Sequence, residues 1–295
     1  RPPSPGYRLG KLVQRHRAEA AAVAAVVLAL RMVAVGSTVA LLNVRRANQQ
    51  SQREAAKAKA VSNFLEHTLS AADPLKQGRN VTVAEVLQKA AGSISDDFPG
   101  QPEVEAAVRH TVARTSQAIG QNAQAVEQAR AALSLRERAL GPEHPDTLSA
   151  LFVLAENETI LGHYQDAEGL HRRAWEGRQR LLGGAHLDTL ASQGSLAMTL
   201  FSLDRRAEAE LLERRVVEVA TRVLGPDHPD TLRGHTNLAS ILEARGQVAE
   251  AEALLKDTLE RKRRTIGPEH PSTPDTMHTL GLLLQNAARH AESEP

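Results

Sequence analysis

Leu140-Gly141-Pro142-Glu143-His144-Pro145-Asp146-Thr147-Leu148 recurs as Leu182-Gly183-Gly184-Ala185-His186-Leu187-Asp188-Thr189-Leu190 and again as Leu224-Gly225-Pro226-Asp227-His228-Pro229-Asp230-Thr231-Leu232. A worn copy begins at Ile266-Gly267-Pro268-Glu269-His270-Pro271. The glycines Gly141, Gly183, Gly225 and Gly267 stand 42 residues apart. A fixed period of this size marks a stacked repeat architecture, which presents a surface rather than enclosing a reaction. Each phrase reads as a stop followed by a start. Gly ends a helix in a left-handed cap, and Pro cannot continue it. The second Pro biases the preceding His away from helical geometry. Asp-Thr then opens the next helix, with the carboxylate near the positive end of its dipole.

About 33 residues separate successive phrases, room for two helices, and a second break divides them at Gly162-His163, Asp204-Arg205 and Gly246-Gln247. The unit is a helical hairpin. Its first helix carries an apolar stripe: Leu148, Leu154 and Ala155 in one unit, then Leu190, Leu196, Ala197, Leu200 and Leu203, then Leu232, Leu238, Ala239 and Leu242. Its second helix opens with Ala167-Glu168, Ala209-Glu210 or Ala251-Glu252, where a small residue permits close helix approach. One hairpin cannot bury its apolar face alone, so stacking supplies the core. Upstream, Gly120 and Ala125 keep the register of Gly162 and Ala167, and a less regular first repeat runs from Pro102. Downstream, Leu280 keeps step with Leu238, and no second helix follows for the last pair.

These residues resemble the tetratricopeptide repeat in its kinesin-light-chain-like form, on the LGxxHPDTL phrase, the Leu-Ala of the first helix and the Ala-Glu of the second. The resemblance covers roughly Pro102 to Pro295. It implies an all-α, right-handed superhelix of stacked hairpins, about four repeats plus a partial last one, with a concave groove for a peptide or protein partner. The family often places Asn before the Leu-Ala pair. Here only Asn237 does so, while Val153, Ser195 and Thr279 hold the equivalent places.

Composition narrows the function further. The formal net charge is +1, and the chain has one Trp, two Tyr and four Phe. Neither bulk charge nor basic-aromatic interleaving argues for nucleic acid. There is no Cys, hence no disulfide framework or thiolate metal site. One His per repeat (His144, His186, His228, His270) forms a row, because packed helices lie about 8–10 Å apart and zinc needs ligands about 2 Å from one ion. These histidines read as turn residues bonding nearby backbone. No metal or cofactor is expected.

The segment 19–43 is expected to be a single transmembrane helix, with an apolar core from Ala20 to Leu42. Arg31 interrupts it at a cost of about 2.5–3.5 kcal/mol, and its Leu and Val residues each return roughly 0.3–0.6 kcal/mol near the centre. Basic residues balance on either side, so orientation is not set by charge. Residues 1–18 form a basic juxtamembrane segment and 44–101 a helical spacer, in which Ala60, Phe64 and Leu65 make a narrow apolar strip. Asp73-Pro74 ends the polar helix, and Thr82 with Glu85 reads as a capping box.

The run Pro2-Pro3-Ser4-Pro5-Gly6-Tyr7-Arg8-Leu9, then Arg15-His16-Arg17 and the apolar span, is similar to the segment after the catalytic domain of bacterial membrane-bound, eukaryotic-like serine/threonine protein kinases. The chain opens on Arg, which reads as a fragment or a processed product. It carries no Gly-rich loop, VAIK-type lysine, HRD or DFG motif, so these residues are expected to be non-enzymatic.

The expected function is a membrane-tethered protein–protein interaction scaffold, placed by the resemblance in a bacterial cytoplasmic membrane. The alternative is the regulatory or sensor tail of a transmembrane serine/threonine kinase, and self-association through the last repeat is a third reading. Asn157, Ser195, Thr199 and Asn237, polar and off the apolar stripe, are the candidate groove residues. Arg138, Arg180, Arg222 and Arg264, also 42 apart, are a candidate basic stripe for an acidic ligand, against a plain solvated face. Arg130, Arg172, Arg214 and Lys256 recur likewise and read as i,i+4 partners.

Overall fold

The computed structural model describes residues 6, 17–70 and 82–293; side chains at 17–30, 34, 46, 65, 67–70 and 289–293 fall outside that description. It separates into two units, residues 1–59 and 60–295. In chain order the helices are α1 (Arg17–Ser70), α2 (Val83–Asp97), α3 (Pro102–Ala118), α4 (Asn122–Leu140), α5 (Pro145–Ile160), α6 (Tyr164–Leu182), α7 (Leu187–Ser202), α8 (Arg206–Leu224), α9 (Pro229–Ala244), α10 (Val248–Thr265) and α11 (Ser272–Ser293). No strand occurs among the described residues.

The recurring phrase makes the joint between one hairpin and the next. Gly141, Gly183, Gly225 and Gly267 take φ of +88°, +84°, +93° and +90°, a region costly for any side chain. The helix then restarts earlier than the Asp-Thr reading placed it. The cap is the histidine: Nδ1 of His144, His186 and His228 accepts the amide of Asp146, Asp188 and Asp230 at 3.1, 3.2 and 3.2 Å. Pro145 and Pro229 fill the first helical position, where a missing N–H costs nothing. The threonine locks the joint instead of opening the helix. Thr147, Thr231 and Thr273 donate their hydroxyls to the carbonyls of Gly141, Gly225 and Gly267 at 2.8–2.9 Å. In the Gly-Gly-Ala-His-Leu copy, the buried Thr189 hydroxyl has no partner.

The break inside each hairpin is a Schellman turn. His163 N donates to Glu158 O at 2.9 Å and Gly162 N to Thr159 O at 3.0 Å. The pattern repeats at Gly120 and Gly246, and at Asp204, whose φ of +61° is the one positive value among described non-glycine residues.

The apolar stripes are buried as the period predicts. Leu154, Ala155, Leu196, Ala197, Leu200, Leu238, Ala239 and Leu242 face the core, and Ala125, Ala167, Ala209 and Ala251 are fully enclosed where second helices begin. Each buried Leu contributes roughly 1.5–3 kcal/mol. Trp175 packs beside Leu196 and Leu200 as a core residue. Arg172, Arg214 and Lys256 pair with Glu168, Glu210 and Glu252 one turn away. Glu168 and Glu210 also take Arg205 and Arg245 from the following unit. Such exposed pairs are worth under about 1 kcal/mol each. The helix α11 buries Leu283 against α9 and α10.

Upstream of the repeats the capping box forms, with Thr82 Oγ1 accepting Glu85 N and Glu85 Oε2 accepting Thr82 N. Phe64 at the end of α1 joins Ala90, Ile94, Val108 and Val112 in one cluster and meets Phe98 at 6.1 Å. The later half of the spacer is therefore the first layer of the repeat body, and the boundary expected at residue 102 does not interrupt the packing.

The expected span, 19–43, lies in α1, whose backbone is helical without a break from Arg17. Its side chains through residue 30 lie outside the described residues, as do Asp73-Pro74 and the kinase-like motif except Gly6. Among the described residues no helix is long and apolar enough to cross a membrane. Met32, Val33, Val35, Val39, Leu41, Leu42 and Val44 are all exposed.

The threonine lock yields a graded prediction. Thr147→Val and Thr231→Val should each lower unfolding free energy by about 1–2 kcal/mol, whereas Thr189→Val, which loses no bond, should stay within about 0.5 kcal/mol. Chemical denaturation of the three variants checks the order.

Candidate functional site

A groove of about 500 Å³ opens between α5, α7 and α9 on one side and α6 and α8 on the other. The first helices bring Phe152, Glu156, Ser195, Met198 and Asn237 to it from the face away from the Leu-Ala stripe, and Leu190 reaches it from the edge of that stripe. The second helices contribute His171, Glu213, Val216 and Ala220. Its acids Glu156, Asp188, Glu213 and Asp230 outnumber the one lining arginine, Arg233, which pairs with Asp230 at 2.9 Å.

Glu213 is the unusual group. It is 1% exposed, one carboxyl oxygen accepts Asn237 Nδ2 at 3.3 Å, and the other has no partner. Two glycines, Gly194 and Gly234, lie against this carboxyl. A Cβ at Gly194 or at Gly234 would stand 3.5 Å from a Glu213 oxygen. Burial pushes this carboxyl up to about 8, against weaker lowering by the Asn237 bond and by Arg233. Burial likewise raises Glu156, opposed by Arg233, Arg114 and Arg178.

His171, the residue of α6 in register with Glu213, is held neutral: burial first, then Arg178, brings it down to about 4. Its ring meets Phe152 edge-on at 5.7 Å, its Nδ1 is unpartnered, and the Arg178 guanidinium lies 4.8 Å above the Phe152 ring. The floor of the groove thus stores two unsatisfied polar groups, which buried protein interiors seldom tolerate.

Of the residues expected in the groove, Ser195 and Asn237 line it. Asn157 and Thr199 do not; both are buried, and each bonds a carbonyl one turn back, Val153 O at 2.8 Å and Ser195 O at 2.9 Å. The arginine stripe lies elsewhere. Arg138, Arg180, Arg222 and Arg264 are exposed and none lines the groove. Arg180 grips Glu143 at 2.9 and 3.0 Å, and Arg264 grips Asp227 at 3.2 and 3.3 Å, each reaching back to the preceding phrase. The row of histidines caps its own helices and does not converge.

The comparisons with known proteins agree with this architecture. One tetratricopeptide repeat model matches residues 104–179, 214–263 and 230–295, more than half of the chain, and a second matches 189–230. Among solved structures, a kinesin-light-chain-type protein of Podosopora anserina with nearly identical TPR-like repeats is 30% identical. That match covers 62% of this chain and 87% of that one, with a TM-score of 0.54. BtubC (BKLC) from P. vanneervenii shares the fold at 20% identity and TM-score 0.54, over 74% of this chain and 92% of its own. A Rap protein complexed with Competence and Sporulation Factor shares the fold at 11% identity and TM-score 0.56, over 81% and 73%. No curated protein matches the chain.

The raised Glu213 carboxyl fixes a sign. The folded state holds this proton up to about pH 8, whereas the unfolded chain releases it near the ordinary 4.5. Stability is therefore full below about 4.5 and falls as pH rises toward 8. Glu213→Gln should melt close to wild type at pH 4.5 and at least about 3 °C higher at pH 8. A gap that does not widen with pH would contradict this account of Glu213.

Proposed function

Because the chain belongs to the tetratricopeptide repeat family, we propose that it is a protein-interaction scaffold whose groove between α5, α7 and α9 receives an extended peptide segment of a partner. The observation that supports this most is the preformed groove itself. It has apolar walls of Leu190, Met198 and Val216, two half-buried polar groups in Ser195 and Asn237, and an acidic rim. A rigid surface of this kind loses little conformational entropy on binding. The Rap protein that is complexed with Competence and Sporulation Factor shares this fold.

Peptides selected from a random library on the full chain test this reading. Ala191→Arg and Ser195→Arg, which crowd the groove, should weaken them at least tenfold. Arg138→Glu, outside it, should leave affinity unchanged. Equal binding to all three variants would place the partner elsewhere.

The proposal includes a single-pass membrane tether through 19–43. Its support is the apolar sequence from Ala20 to Leu42 and the exposed Met32, Val33, Val35, Val39, Leu41 and Leu42, which at 100° per residue lie all around α1. Placement in a bacterial membrane, and the further reading as the regulatory tail of a serine/threonine kinase, draw only on the short motifs near the start of the chain. The intact chain should float with phosphatidylethanolamine–phosphatidylglycerol vesicles and resist alkaline carbonate. A chain lacking 19–43 should stay in the dense fraction. Failure of the intact chain to float sinks the tether and leaves the groove reading standing.

A further inference from the structure

The strict register lets one position be followed through successive hairpins. Late in the second helix stand Arg136 of α4, Arg178 of α6 and Lys262 of α10, 8%, 7% and 4% exposed. Each reaches the first turn of the next hairpin. Arg136 donates to Asp146 O at 2.8 Å, Arg178 to Asp188 O at 3.1 Å, and Lys262 to Ser272 O at 3.2 Å. Two further registers complete this slot. The residue on the following first helix is Ala150, Ser192 or Thr276, and the hydroxyls of Ser192 and Thr276 accept the cation at 2.8 Å. The residue on the hairpin's own first helix is His110, Phe152 or Thr236, lying against the same cation.

In the α7–α8 hairpin all three registers are stripped. The cation's place is Ala220, the hydroxyl's place is Gly234, and the third place is Gly194. All three line the groove. Where the neighbouring units hold a buried cation, this unit holds space, and against that space lies Glu213. Its oxygens stand 3.5 Å from the Cβ positions of both glycines, and one of them is unpartnered. Glu213 has no counterpart in the other hairpins, where its register holds Ala129, His171 and Leu255.

We propose that this vacated slot receives one arginine side chain of the bound peptide, its guanidinium between the Glu213 carboxyl and Asp230 O, with the incoming positive charge driving the Glu213 proton off to solvent so that the contact forms as a carboxylate–guanidinium pair. The slot is a copy of a geometry that the chain fills with its own arginine twice, at Arg136 and Arg178. Charge complementarity points the same way: Asp188 and Asp230 line the opening beside the Glu156 and Glu213 carboxyls, and the lining arginine, Arg233, is already held by Asp230. Arginine suits the place better than lysine, because a planar fork meets a carboxylate and a carbonyl together. The apolar Leu187, Leu190 and Leu224 then take the residues flanking it. This inference rests on the groove being a peptide site.

The test separates the slot from the groove by using a single amino acid. Acetyl-arginine amide and its uncharged isostere acetyl-citrulline amide are added to the full chain at matched ionic strength and neutral pH, and melting is followed. With the arginine probe at about ten times its Kd, the melting temperature should rise by about 3–5 °C, and citrulline should give less than a third of that. Ala220→Arg, which fills the slot from within, and Glu213→Gln should both abolish the difference. Ala220→Leu fills the same space without charge and should also abolish it, so misfolding of the arginine variant leaves the test intact. Equal shifts from the two probes, or an arginine-specific shift that survives in Ala220→Leu, would overturn the slot. Peptides that bind the groove without regard to arginine would overturn it too, while sparing the scaffold reading.

Discussion

The joint between hairpins governs this molecule. A glycine at positive φ ends one helix, a histidine caps the next, and a threonine hydroxyl returns to the glycine carbonyl. Three local interactions within about seven residues tie consecutive hairpins together, and they recur because the same residues recur. Where the joint repeats, a register position meets equivalent neighbours from unit to unit. The Leu-Ala stripe then closes on the alanines of the second helices, and a cation late in one hairpin always finds the first turn of the following one. The packing is a consequence of the joint, not an independent feature.

A constraint this regular makes departures informative. Thr189 sits in the Gly183-Gly184-Ala185 phrase and loses its partner, and Asp204 takes the place of a glycine at positive φ. Both lie in the α7–α8 hairpin, as do Gly194, Glu213 and Ala220. Natural sequences relax local rules where the surface is used for something else. These departures gather in the hairpin at the centre of the groove.

Much of the fold was legible from the period alone: the hairpin unit, the buried Leu-Ala stripe, the enclosed alanines and the capping box at Thr82. The helix start was misplaced because Asp-Thr resembles a common cap, while the histidine that actually caps carries no strong propensity for the role. Within the groove, Ser195 and Asn237 were visible as polar residues off the stripe. Asn157 and Thr199 looked the same in sequence, and only their angular position sends them inward to bond their own helix. Glu213 was missed because attention to the second helices fell on exposed arginines. Following the column Arg136, Arg178, Ala220, Lys262 down the register would have exposed the missing cation without any coordinates.

The absent cation also has a mechanical meaning. In a stack where each hairpin touches only its neighbours, stiffness is set link by link. Most links carry a buried charged strut from one second helix to the next first turn; the link between α8 and α9 has alanine there instead. A side chain wedged into the slot would act as the missing strut, giving this link the charged tie from second helix to first turn that the other three already carry.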